Sequence, residues 1–243
     1  MAPSEFASAL VLFAHPDDAE FFCGGTVARW VREGCEVHYV CITDGSAGSN
    51  EPGVTREQMR PVRVREQNAA AEVLGVASVT YLGEVDGMLE VNLDTRRKVC
   101  REVRRLRPDV IVAQDPSRLW YGTGYINHTD HKRAGELALS AIMPDAPTRP
   151  MFPELLDEGL EPFEVPNLYL AMNEPEVYVD ITETIDVKLK ALAQHGSQLK
   201  IEEVEKWIRE RAAQWGEQAG CDYAEGFKAF SFLDDEEEAE DKG

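Results

Sequence analysis

An α/β fold built on a mostly parallel sheet is what the sequence predicts, and three observations carry the prediction. The run Leu10 to Ala14 is continuously apolar, and other short runs come close to it; this is the mark of strands buried on both faces. Longer stretches with helical spacing separate these runs, and strict alternation of strand and helix implies right-handed crossovers into a parallel sheet. The loops after the first and fourth runs are dense in ionisable side chains. In open parallel sheets, sites gather at strand carboxyl ends where the strand order reverses.

The first strand, Leu10 to Ala14, empties into His15, Pro16, Asp17, Asp18 and Glu20, four ionisable groups within six residues. Such groups at the mouth of a buried strand are costly to desolvate unless a cation offsets their charge, and a divalent metal is the obvious candidate. A helix follows over Glu20 to Glu33, with Gly34 placed to close it. The second strand is expected at Glu36 to Thr43. The second helix runs from Gln58 to Leu74 and ends at Gly75. A third strand, Ser78 to Leu82, leads to a helix over Leu93 to Leu106, capped by Asn92 or Asp94 and stopped before Pro108. The fourth strand, Asp109 to Gln114, runs into the loop DPSRLWYGTGYINHTDH and then the helical run KRAGELALSAI. The architecture is therefore Rossmann-like, with helices on both faces and two distant loops converging on one site.

Beyond Ala141 the pattern is irregular. Residues 144–166 hold six prolines without periodicity and are expected to form a long surface loop or lid that could shape a pocket. Strands at Asn167 to Met172 and Val177 to Asp180, with helices at Thr184 to His195 and Glu202 to Trp215, complete the expected fold. No internal repeat is visible.

At 243 residues and 43% hydrophobic, the chain can form one domain, expected over residues 1–233. The tail DDEEEAEDKG, residues 234–243, holds seven acids and reads as solvated and disordered. A net charge of −20 opposes binding to nucleic acid or an anionic membrane. The expected partners are a small-molecule substrate and further copies of the chain, as a homo-oligomer. Five cysteines with no Cys-x-x-Cys spacing argue against a zinc ribbon or disulfide framework and suit a reducing cytosol. The N-terminus lacks the basic segment and apolar core of a secretion signal, and no apolar run approaches the roughly 20 residues of a membrane span. A cytoplasmic protein is expected.

His128 and His131 stand three apart in NHTDH, as do His15 and Asp18 in HPDD. On a first helical turn that spacing puts both side chains on one face. Either pair alone would suit a helix cap with its own ion pair. Together, at two strand ends, they offer two imidazoles and a carboxylate, a catalytic arrangement for zinc. The same set also describes the facial triad of a non-haem iron oxygenase. A nucleotide-binding module is disfavoured because no Gly-x-Gly-x-x-Gly follows the first strand. His38 alternates within a strand as a half-buried side chain, and His195, at a helix end, stays ambiguous.

AHPDDAE, residues 14–20, resembles the Ala-His-Pro-Asp-Asp-x-Glu signature of the PIG-L/LmbE-like family of zinc-dependent N-deacetylases. HTDH is similar to that family's His-Pro-Asp-His, with Thr129 in place of proline. RVREQNAAAEVLGV, residues 63–76, resembles its Arg-x-x-Glu helix, and HGSQ at 195–198 its late His-x-Ser-Gln. The resemblance implies that His15, Asp18 and His131 hold Zn²⁺, with another divalent metal such as Fe²⁺ an alternative, and that Asp17 is the general base. It implies that a protonated His128 sits at the developing oxyanion, that Asp130 orients a histidine, and that the substrate is an N-acetylglucosamine-type amino sugar or its conjugate. A broader zinc amidase acting on small N-acyl amines is the alternative. Asp86 resembles a family aspartate that contacts the sugar. Arg63 either grips a substrate hydroxyl or carboxylate or points into solvent, and Trp120 and Tyr121 are either a stacking wall or ordinary surface aromatics. For Glu20 the sequence offers only a supporting partner in the site or a helix N-terminal charge.

Overall fold

The computed structural model describes residues 5–121, 123–171 and 174–232. The strands are β1 (Ser8–Phe13), β2 (Glu36–Thr43), β3 (Ser78–Glu84), β4 (Val110–Gln114), β5 (Trp120–Tyr121), β6 (Tyr125–Ile126), β7 (Asn167–Ala171), β8 (Val177–Asp180) and β9 (Ala224–Ser231). The α-helices are α1 (Asp18–Arg32), α2 (Arg56–Leu74), α3 (Leu93–Leu106), α4 (Thr129–Ser140), α5 (Glu154–Asp157), α6 (Ile185–Leu192) and α7 (Ile201–Ala219). Seven strands form one sheet in the order β3-β2-β1-β4-β7-β9-β8, and β5 pairs with β6 as a separate hairpin.

The five strands β3, β2, β1, β4 and β7 are mutually parallel. Although β1 is apolar from Ala9 onward, its side chains divide by the period of two. Ala9, Val11 and Phe13 pack with Ala19 and Val27 of α1 and Ala70 and Leu74 of α2. Leu10, Leu12 and Ala14 pack with Val99 and Val103 of α3 and Leu137 of α4. Each buried valine, leucine or phenylalanine among them stabilises by roughly 1.5 to 3 kcal/mol relative to exposure. Strand order reverses between β1 and β4, which are hydrogen-bonded neighbours, so the crevice lies where the two ionisable loops emerge.

Helix ends follow the expected chemistry. Thr55 and Gln58 make a capping box on α2, and Gly75 ends it in the left-handed conformation. The cap of α3 is Asn92, whose side chain accepts from the amides of Asp94 and Thr95. Gly135 has a packing reason: a Cβ there would meet the Gln114 carbonyl oxygen at 2.4 Å, so its absence lets α4 lie against the end of β4.

The C-terminal part departs from expectation. It extends the sheet, and β9, which the sequence pattern did not reveal, inserts antiparallel between β7 and β8. AEGFKAFS alternates poorly and carries Gly226, so neither a clean period of two nor an apolar run marks it. Residues 144–166 are no lid. The buried Arg104 donates to the carbonyls of Asp145, Ala146, Thr148 and Met151, which fastens the segment to α3, and none of these residues lines the cleft described below. The end of the expected strand at Met172 and the acidic tail 234–243 lie outside the described residues. Among the described residues, no helix is long and apolar enough to cross a membrane.

Candidate metal centre and its cleft

Strand β1 delivers His15 and the first turn of α1 delivers Asp18; α4 delivers His131 on its first turn and is capped by His128, whose Nδ1 accepts from the Asp130 amide at 3.2 Å. The two loops meet as the topology requires. The ring centroids of His15 and His128 are 4.6 Å apart, and those of His15 and His131 are 5.1 Å apart. Two overlapping sets of potential ligand atoms result, each within 4.8 Å: His15, Asp18 and His131, and His15, Asp86, His128 and Asp130.

Hydrogen bonding favours the first set. His15 Nε2 lies 3.2 Å from both Asp86 Oδ1 and Asp130 Oδ2, and only a protonated Nε2 suits two carboxylates. This tautomer leaves Nδ1, 3.4 Å from Asp18 Oδ2, as the coordinating nitrogen. His131 Nδ1 lies 2.9 Å from Asn127 Oδ1, an acceptor, so that its Nε2, 3.1 Å from Asp18 Oδ1, carries the free lone pair. The first set therefore turns its lone pairs inward, while Asp86, Asp130 and Asn127 hold the outer ring nitrogens as carboxylate and amide partners do behind metal-bound histidines. Asp130 Oδ2 is itself fixed by the Gly87 amide at 2.8 Å, and Asp86 Oδ2 by the Ala47 amide at 2.9 Å.

The electrostatics point the same way. Asp17, Asp18, Asp86 and Asp130 converge, with Arg63 as the permanent cation paired to one of them. Burial works against the charge on Asp18, yet His131 and His15 hold its carboxyl well below the usual range. Burial also disfavours a charged His15, but hydrogen bonds to Asp130, Asp18 and Asp86 raise it well above an ordinary histidine. The cluster thus draws a positive charge, and a donor set of two imidazoles and a carboxylate fits a divalent transition metal.

Asp17 stands beside the donor set with φ 102°, left-handed for a non-glycine residue, a conformation that costs on the order of 1 to 3 kcal/mol and persists only where surroundings enforce it. Burial pushes its carboxyl up to about 6 against the pull of Arg63. Arg63 is only 3% exposed, with Nη2 3.0 Å from Asp17 Oδ2 and bonded to the Pro16 carbonyl; the solvated reading of Arg63 does not hold. Burial and the neighbouring His15 lower His128. Its Nδ1 accepts from the Asp130 amide, which leaves Nε2 as the ring nitrogen able to donate into the cleft.

These residues border a cleft of about 920 Å³. Of the loop aromatics, Tyr125 lines it and Trp120 does not; the Tyr121 side chain lies outside the described residues. Trp207, Arg211 and Trp215 of α7 also line it, and no local pattern singles them out. Asn127 was also missed, although its i, i+4 relation to His131 on the opening turn of a helix was a usable signal.

The family model for GlcNAc-PI de-N-acetylase, PIG-L, matches residues 10–142. The chain is 31% identical over 224 residues to diacetylchitobiose deacetylase of Thermococcus kodakarensis, covering 90% of this chain and 81% of that protein. The crystal structure of N,N'-diacetylchitobiose deacetylase from Pyrococcus horikoshii superposes with a TM-score of 0.85 at 31% identity, over 94% of this chain and 85% of the other. GalB of Pseudomonas putida, a 4-carboxy-2-hydroxymuconate hydratase, shares the fold at TM-score 0.76 and 25% identity, over 91% of this chain and 95% of its own. A match over more than half of the sequence, centred on the two loops that build the donor set, places this chain in the PIG-L family of de-N-acetylases.

Proposed function

We propose that the protein is a zinc-dependent N-deacetylase that removes the acetyl group from an N-acetylglucosamine-type amino sugar or its conjugate. The observation that carries this reading is the inward-facing set of His15, Asp18 and His131 with Asp17 held beside it at the edge of the cleft. Similarity to the diacetylchitobiose deacetylases supports the substrate class. A divalent metal on that set would supply Lewis-acid polarisation of the amide carbonyl and a water of pKa lowered to about 7.

Asp17 takes the proton of the attacking water and returns it to the departing amine. Nε2–H of His128 donates to the amide oxygen as negative charge develops there. Asp130 and Asp86 fix the His15 ring from its far side. Arg63 and Asp86 line the cleft, where they are proposed to touch substrate, and they also hold Asp17 and His15.

The test is acetate release from a panel of N-acetylated sugars by purified protein, with metal analysis of the same sample. Acetate released without oxygen consumption excludes the iron-oxygenase reading. Comparable kcat/KM on N-alkyl acetamides and on N-acetylglucosamine would instead favour a general amidase. The hydratase relative motivates one further arm: water addition to an unsaturated carboxylate with no acetate released from any amide would overturn the deacetylase reading.

A further inference from the structure

Glu20, Gln67 and His195 are all fully buried, and the chemistry above uses none of them. The amide N–H of Asp17 donates to Gln67 Oε1 at 2.9 Å, Gln67 Nε2 donates to Glu20 Oε1 at 2.9 Å, and Glu20 Oε2 lies 3.3 Å from His195 Nε2. We infer that this buried chain is a brace that holds the Asp17 backbone in its left-handed conformation and so aims the carboxylate that moves the proton. Glu20, Gln67 and His195 are thus positioning residues. The inference rests on the deacetylase reading for its kinetic consequence only.

The polarity of the chain is determined by its ends. The backbone N–H of Asp17 requires an acceptor and the Glu20 carboxyl oxygen a donor, and the side-chain amide of Gln67 supplies both at once. Arg63 and Gln67 are one turn apart on α2, so one helix face grips Asp17 twice: Arg63 at the carboxylate and the Pro16 carbonyl, Gln67 at the amide. His195 anchors the outer end, where its carbonyl accepts from the amides of Gln198 and Leu199 in the turn between α6 and α7. The brace therefore ties the β1–α1 loop to α2 and to that turn.

Stability alone does not account for it. Among the described residues, Glu20 Oε2 and both ring nitrogens of His195 find no well-aligned hydrogen bond. A buried polar contact with unsatisfied atoms is often no more stabilising than an apolar pair of the same volume. Such groups are retained where they fix a conformation the chain would not otherwise adopt.

The test uses Gln67→Met, which keeps the volume and removes both hydrogen bonds, in the metal-loaded enzyme. Hydrogen exchange at the Asp17 amide, read by NMR, should accelerate strongly relative to wild type. With N-acetylglucosamine as substrate, kcat should fall about 10²-fold while KM and metal stoichiometry hold. In an Asp17→Asn background the same substitution should cost little further, because both act on one group. Should Gln67→Met fail to fold, Glu20→Met against Glu20→Gln carries the same test, and the glutamine variant should retain roughly tenfold more kcat than the methionine variant because it still accepts from Gln67. An Asp17 amide that exchanges equally fast with and without Gln67 overturns the brace. Faster exchange with unchanged kcat overturns its role in positioning. If wild-type protein hydrolyses no N-acetyl amide, the deacetylase reading falls, and the exchange measurement still decides the brace.

Discussion

Two buried ionic assemblies border the cleft, and they balance charge in opposite ways. At α1, α6 and β9, Lys188 Nζ lies 2.6 Å from Glu225 Oε1 and donates to the Phe21 carbonyl at 2.7 Å, while the Glu225 oxygens accept from the mid-helix amides of Gly25 and Thr26. One positive and one negative group meet, and each is held further by backbone hydrogen bonds. At the ends of β1 and β4, four aspartates converge with Arg63 paired to one of them, and lone pairs of His15 and His131 point at each other's carboxylate neighbour Asp18. A closed pair holds secondary structure together; an open one with surplus negative charge and inward lone pairs is built for a cation.

The largest effect that would sharpen this contrast comes from removing ligands. Asp18→Ala and His131→Ala should each abolish stoichiometric metal, measured by elemental analysis, and with it acetate release, whereas the double variant Lys188→Met, Glu225→Leu should keep its metal. Asp17→Asn should also keep it and lose about 10² to 10⁴ in kcat. Equal metal loss in all three single variants would show that the roles of the adjacent aspartates are misassigned.

Next in size is a stability effect confined to the closed pair. Lys188→Ala leaves Glu225 buried without its counter-charge and should lower unfolding free energy by about 3 to 5 kcal/mol in urea titration. The double apolar variant should recover much of that loss; if it is as unstable as the single variant, the pair is not the self-contained unit described. His128→Ala should then lower kcat by about 10² to 10³ with metal retained, as expected on loss of one donor to the developing negative charge; metal loss there would favour the alternative donor set. The smallest effect concerns the support behind a ligand. Asn127→Ala frees the His131 ring and should weaken metal affinity roughly 10- to 100-fold in competitive chelator titration, and an unchanged affinity would mean that α4 alone orients His131.

Much of this was legible in local pattern. Apolar runs located β1 to β4, and the capping signals at Asn92 and Gly75 bounded their helix ends because they act over one turn. HPDD and NHTDH announced their donors because i, i+3 spacing on a first turn is a local geometry, and placement at strand ends followed from parallel topology. The sequence did not reveal β9, since a strand with a poor alternation and a glycine is specified by the edges of β7 and β8 that it pairs with.

Residue identity and spacing singled out His15, Asp17, Asp18, His128 and His131 as the candidates for chemistry. Tertiary structure decided which nitrogen of His15 faces inward, because that depends on Asp86 and Asp130 arriving from other loops, whereas Asn127 orients His131 from within its own loop. It also decided what Glu20 and His195 are for. Separated by most of the chain, they meet with Gln67 only when α1, α2 and the turn after α6 are packed together, and no periodicity records a contact whose partners come from different elements. A hydrogen bond is set by direction and distance over a few ångströms, whereas the sequence fixes direction only within an element.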